Sequence, residues 1–151
     1  MHKRLPLVAF LLLLTATTNF AAPKPARSEY LLLTQAGITF AEERGAFYLM
    51  SFDVLKPSTD RIYVLVQYEN PEDPNAPLID DLFLPPGAKE INLQSPAFKT
   101  VRNRVRYKVE LQLFADAQHT KLLGKHRQDV DFRAPKDLVS LITQRYGVSV
   151  K

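Results

Sequence analysis

The sequence predicts an all-β protein, a single antiparallel β-sandwich of about seven strands with a short C-terminal helix. Three observations lead there. Apolar residues recur with period two through most of the chain, which is the period of strands. Polar and proline-rich turn clusters interrupt them about every 8–12 residues, the spacing of sandwich strands. No long helical segment is available to make the crossovers a parallel sheet needs. A small β-barrel is the alternative closure.

The chain opens with a leader rather than with the domain. His2, Lys3 and Arg4 form a basic start, Leu5 to Ala16 is almost wholly apolar, and Ala21-Ala22 follow a short polar stretch. This is the three-part layout of a secretory signal peptide, assigned to residues 1–22 with cleavage after Ala21 or Ala22. Its apolar stretch is about 12 residues, short of the roughly 20 a bilayer span needs, so no transmembrane anchor is expected. Residues 23–28 read as a flexible tether ahead of a domain at 29–133.

Strands then follow in order. Tyr30 to Leu33 starts a strand that resumes at Ile38 to Phe40, and Gly37 suggests a bulge between them. Glu42 to Gly45 is a turn. Phe47 to Leu55 places Tyr48, Met50, Phe52 and Val54 on one face. Arg61 to Glu69 places Ile62, Val64, Val66 and Tyr68 on one face, while Tyr63 and Leu65 fall on the other, so this strand is expected to be covered on both sides. Asn70 to Pro77 is a loop rich in proline, asparagine and acids. Leu78 to Leu84 is a short peripheral strand. Pro85-Pro86-Gly87 turns the chain, and Ile91 and Leu93 alternate in another short strand.

Arg104 to Phe114 carries the clearest pattern. Val105, Tyr107, Val109, Leu111 and Leu113 share one face, and Arg104, Arg106, Lys108, Glu110 and Gln112 the other. His126 to Arg133 returns with Asp129 and Asp131 outward. An antiparallel hairpin would set these acids near Arg106 and Lys108, each pair contributing about 0.2–1 kcal/mol. After Pro135 the spacing changes to three and four over Lys136 to Tyr146, which predicts a helix within a tail at 134–151. Asp137 suits its first turn and Gly147 its end.

Two long strands, two short ones and a long closing hairpin, with Tyr107 early in the penultimate strand, resemble an immunoglobulin-like or fibronectin-type-III-like domain. The resemblance covers Glu29 to Arg133. It implies a tyrosine corner at Tyr107 and two packed sheets. The cysteine pair and tryptophan of antibody domains are absent.

The absence of cysteine excludes thiol catalysis, cysteine-ligated zinc and iron–sulfur clusters. It also excludes the acylated cysteine of a bacterial lipoprotein. Of 20 Lys and Arg against 16 Asp and Glu, Lys3 and Arg4 leave with the leader, so the remaining chain carries +2. That is too mild to point to nucleic acid. No Gly-x-Ser-x-Gly elbow or glycine-rich phosphate loop occurs. His119 and His126, joined by Asp116, are the best candidates for a metal, but their spacing matches no familiar site. Met50 lies on an alternating core face. The acid pairs Glu42-Glu43, Glu72-Asp73 and Asp80-Asp81 sit at turns, and adjacent strand residues face opposite ways, so they make a poor general acid–base pair. Glu69, Asn70, Glu72, Asp73 and Asn75 offer oxygens for calcium, although three prolines stiffen that loop. No metal or cofactor is expected.

Two surface features remain. Glu69 to Asp81 contains five acids and no base, whereas Lys99 to Lys108 contains five bases and no acid. Arg102, Arg104, Arg106 and Lys108 form a candidate binding stripe for an anionic ligand or acidic partner, against the plainer reading of a solvated face paired with its own acids. Leu138, Leu141 and Ile142 form a candidate partner-binding helix face, against the plainer reading that they cover an open end of the sandwich. The functional expectation is an exported, non-enzymatic binding or accessory module of the cell envelope, periplasmic or secreted. The partner would be another envelope protein or an anionic ligand. A metal-binding or carboxylate-based enzyme, or an inhibitor presenting the loop Asn70 to Pro77, is the alternative.

Overall fold

The computed structural model describes residues 26–151; the leader at 1–22 and the start of the tether lie outside the described residues. The chain runs through β1 (Leu31–Ala41), β2 (Gly45–Val54), β3 (Ile62–Tyr68), β4 (Leu78–Leu84), β5 (Glu90–Gln94), β6 (Thr100–Val101), β7 (Val105–Phe114), β8 (Leu122–Phe132), α1 (Lys136–Tyr146) and β9 (Ser149–Val150). Seven strands longer than two residues form two antiparallel sheets, ordered β1-β2-β5 and β4-β3-β7-β8. Neither sheet closes into a barrel. Labelling the long strands by the immunoglobulin scheme, the order is that of the constant-type sandwich except for the fourth strand. That strand lies beside the third instead of extending the first sheet.

The core forms because each strand turns its apolar alternate residues inward. Tyr48, Met50 and Phe52 of β2 meet Val64, Val66 and Tyr68 of β3 and Tyr107, Val109 and Leu111 of β7, all of them buried. Four aromatic rings cross the gap between the sheets. Tyr48 stacks on Tyr68 at 5.3 Å, meets Tyr107 edge-on at 6.1 Å and tilts against Phe98 at 5.4 Å. Such pairs add about 0.5–1.5 kcal/mol each beyond their buried area. Burial raises the hydroxyl pKa of Tyr48 and Tyr68 well above the usual phenol range, so both stay neutral.

Several local expectations are corrected. The irregularity in β1 falls between Leu33 and Gln35, while Gly37 continues the ladder opposite Leu49. The long seventh strand begins at Val105, not at Arg104. Arg104 has φ +59°, a left-handed turn conformation that cannot continue an extended ladder, and the Asn103 side chain accepts its amide hydrogen. β8 begins at Leu122, four residues before His126. Ser28 and its neighbours fold back on β1: the Leu33 amide donates to the Ala26 carbonyl, and Arg27 bridges Leu32.

The C-terminal segment packs into the same core as the strands. Helix α1 spans the residues its three-and-four spacing predicts, with Asp137 in the first turn and Gly147 left-handed at φ +62° as its stop. Ile142 and Val148 are buried with the sandwich residues. Tyr146 meets Phe40, which in turn meets Phe132, at 5.8 and 5.9 Å. β9 then pairs in parallel with β6, and the amides of Ser149 and Lys151 donate to the carbonyls of Lys99 and Val101. Tertiary packing therefore stabilises a helix too short to hold in isolation. Among the described residues no helix is long and apolar enough to cross a membrane.

Candidate interaction surface

The two charged segments that are separate in the sequence are neighbours in space. The Glu69 carboxylate lies 3.3 Å from the Arg102 guanidinium and accepts the Lys108 amide at 3.1 Å. Glu72 accepts the Lys99 amide at 2.6 Å. Arg106 bonds Asp131, its direct partner in the β7–β8 register, at 3.0 Å and approaches Asp129, which stands opposite Lys108, at 3.9 Å.

Of the candidate stripe, then, Arg102 and Arg106 are already committed to carboxylates. Arg102 is committed twice over, since its guanidinium also lies over the Tyr107 ring at 5.7 Å. Lys108 is exposed on β7 and Arg104 on the turn that precedes it. Arg102, Thr100 and Lys151 line a shallow cleft with Pro71, Glu72 and Pro74.

The candidate helix face also divides. Ile142 is 1% exposed and Leu138 packs on the core, whereas Leu141 is 42% exposed and points away. Arg145 at the helix end pairs with Glu42 at 2.7 Å, which ties the helix to the β1–β2 turn. The face that a partner would need is occupied by the domain itself.

The two histidines lie apart in role. His126 is buried on the inner side of β8. Its Nδ1 is 3.1 Å from the Ser28 hydroxyl, its ring meets Phe52 edge-on at 5.0 Å, and burial pushes its pKa below the ordinary imidazole value. His119 has φ +56° in the β7–β8 connection, covers the Phe114 ring at 4.8 Å and places Nε2 3.4 Å from Asp81. Asp116 shapes this connection by accepting from the amides of Thr120 and Lys121 and from the Thr120 hydroxyl. Among the described residues no three His, Asp or Glu side chains are grouped to hold a metal ion.

The surface that stands out is the outer face of the four-stranded sheet. The registers place Phe83, Tyr63, Phe114 and Leu122 in one row across all four strands. The next rows are Asp81, Leu65, Gln112 and Lys125, then Ile79, Gln67, Glu110 and Arg127. The face thus grades from an apolar end to a charged end. At the charged end Glu110 pairs with Arg127 at 2.7 Å and takes a hydrogen bond from Gln112; those two bonds hold its carboxyl below the usual range. At the apolar end Phe83 is 51% exposed and Leu122 49%, while Ile79, 46% exposed, lies in the charged row. The Arg61 guanidinium stacks on Phe83 at 4.3 Å and flanks this end.

Sequence reasoning singled out Tyr63 and Leu65 as apolar residues on the wrong face of β3, but did not join them to Phe83, Phe114 and Leu122. The signal was the break in alternation, and only the strand order turns it into a surface. No family model matches this chain, and no curated protein matches it.

Proposed function

We propose that this chain is an exported, non-enzymatic accessory module of the cell envelope that recognises a partner through the outer face of its four-stranded sheet. The observation that carries this reading is the row of Phe83, Tyr63, Phe114 and Leu122, whose two edge-strand members Phe83 and Leu122 are about half exposed while Phe114 is buried beneath the His119 ring. Solvated sheet faces ordinarily carry polar residues, and contiguous apolar surface rimmed by charge marks interaction sites. Aromatic residues also dominate the energetics of such sites. The basic stripe supports an anionic ligand less well, because Arg102 and Arg106 already have carboxylate partners. Export rests on the leader at residues 1–22.

The test is site-specific photocrosslinking in the cells that make the protein. A crosslinker at position 83 should give one reproducible adduct in the exported fraction, while one at position 106 should give none. Adducts from position 106 alone, or none from either, would reject the outer-face reading. N-terminal sequencing of the mature protein tests export separately, with a start at Ala22 or Pro23 expected.

A further inference from the structure

Strand β4 is an edge of the four-stranded sheet, hydrogen-bonded on one side to β3. Its sequence, Leu78-Ile79-Asp80-Asp81-Leu82-Phe83-Leu84, is apolar at both ends with two acids in the middle. Alternation turns Ile79, Asp81 and Phe83 to the outer face and Leu78, Asp80, Leu82 and Leu84 to the inner one. Asp80 therefore stands where the pattern calls for an apolar side chain. It has no salt bridge or hydrogen bond among the described residues. On the adjacent strand Tyr68 is wholly buried and its oxygen has no hydrogen-bond partner; burial first, and the Asp80 charge second, raise its hydroxyl pKa. A buried hydroxyl without a partner costs free energy. The free edge thus combines two carboxylates, an orphaned hydroxyl and two exposed apolar side chains.

We propose that β4 accepts an added antiparallel strand from a partner that sets two adjacent lysine or arginine residues between apolar ones. This rests on the interaction reading above and specifies its partner. Main-chain hydrogen bonds to the open edge supply the general attraction, and side-chain pairing supplies the choice of strand. Apolar residues of the incoming strand lie beside Phe83 and Ile79, and basic residues lie beside Asp81 and Asp80. A cation over Asp80 neutralises an inward carboxylate and brings a polar group next to the Tyr68 hydroxyl. The same acids disfavour a second copy of this chain. The antiparallel register that pairs the whole of β4 with itself sets Asp81 directly opposite Asp81 of the copy, and like charges opposite one another destabilise a ladder.

The experiment uses the full mature chain and two short synthetic peptides, one with a Lys-Lys pair flanked by valines and one with a Glu-Glu pair flanked by valines. Binding is followed by amide hydrogen exchange and by titration. The lysine peptide should slow exchange along β4 and bind at least about tenfold more tightly than the glutamate peptide, a gap of about 1.4 kcal/mol. The exposed single change Asp81→Asn should narrow that gap, and the double change Asp80→Lys with Asp81→Lys should reverse it. Equal binding of the two peptides, or protection at β1, β5 or β8 instead of β4, would overturn the proposal. So would β4 protection that rises with protein concentration in the absence of peptide, because the occupant would then be a second copy. Crosslinking from position 83 with no protection of β4 would leave the outer-face reading standing and remove strand addition alone.

Discussion

The hydroxyl of Tyr107 closes on the backbone of Arg102 from both sides, accepting its amide hydrogen at 2.7 Å and donating to its carbonyl at 3.2 Å. One phenol oxygen thereby fixes the corner between β6 and β7. It does so five residues upstream, in the manner of the tyrosine corner of immunoglobulin-like domains. The corner also orients the Arg102 guanidinium toward Glu69. Tyr107→Phe should destabilise the domain by about 1–3 kcal/mol, because it leaves a backbone donor and acceptor without their partner. Chemical denaturation measures this. An unchanged stability would mean that water replaces the hydroxyl at no cost.

The C-terminal segment should behave as part of the domain. Ile142→Ala should cost about 2–5 kcal/mol, the usual penalty for a truncated buried aliphatic side chain. Leu141→Ala should change stability by less than about 0.5 kcal/mol, since that side chain is exposed. Thermal melts of the two variants distinguish this from a detachable tail, for which both changes would be mild.

His126 should make stability depend on pH in a defined direction. Burial lowers its pKa in the folded state relative to the ordinary 6.5, so the unfolded chain binds the proton more readily. The stability is then fully present above about pH 6.5 and is lost as pH falls through the depressed folded value, by about 1.4 kcal/mol per unit of pKa difference. Ser28 and Phe52 face the ring, and neither supplies a charge to stabilise the imidazolium. Unfolding free energy measured from pH 8 to pH 5 should fall in the native chain. In His126→Phe that step should be absent. A parallel fall in the variant would assign the effect to carboxylates elsewhere.

Neutralising the basic stripe should leave recognition largely intact. Arg104→Gln, Arg106→Gln and Lys108→Gln together should leave stability nearly unchanged, because the pairs removed are exposed and screened by solvent. The adduct formed from position 83 should persist in this triple variant. Its disappearance would restore the stripe as the binding element.

How much of this could be read from the sequence varied with the range of the physical signal. β7 is legible because nine residues, Val105 to Leu113, alternate without interruption and the two faces differ in charge. Helix α1 was legible because its spacing changes just after Pro135 and ends at Gly147. Arg104 was misplaced because alternation continues through it, and a single left-handed residue leaves no mark on a hydrophobicity pattern. β6 and β9 span two residues each, too few to show a period. The candidate surface was least legible of all. Phe83, Tyr63, Phe114 and Leu122 become neighbours only through three strand registers, and each alone reads as a stray apolar residue on a polar face. The pairing of Glu69 with Arg102 was hidden for the same reason: the two segments read as separate charged patches until β3 and β7 are set side by side.

The most direct measurement of the central claim is photocrosslinking from position 83 in the native cell, compared with Phe83→Asp in a capture experiment on the identified adduct. The account predicts a single partner joined at position 83, and a loss of its capture by Phe83→Asp of about tenfold or more, with the fold retained by circular dichroism. Capture that survives Phe83→Asp unchanged would contradict it, and would place recognition away from the outer face of the four-stranded sheet.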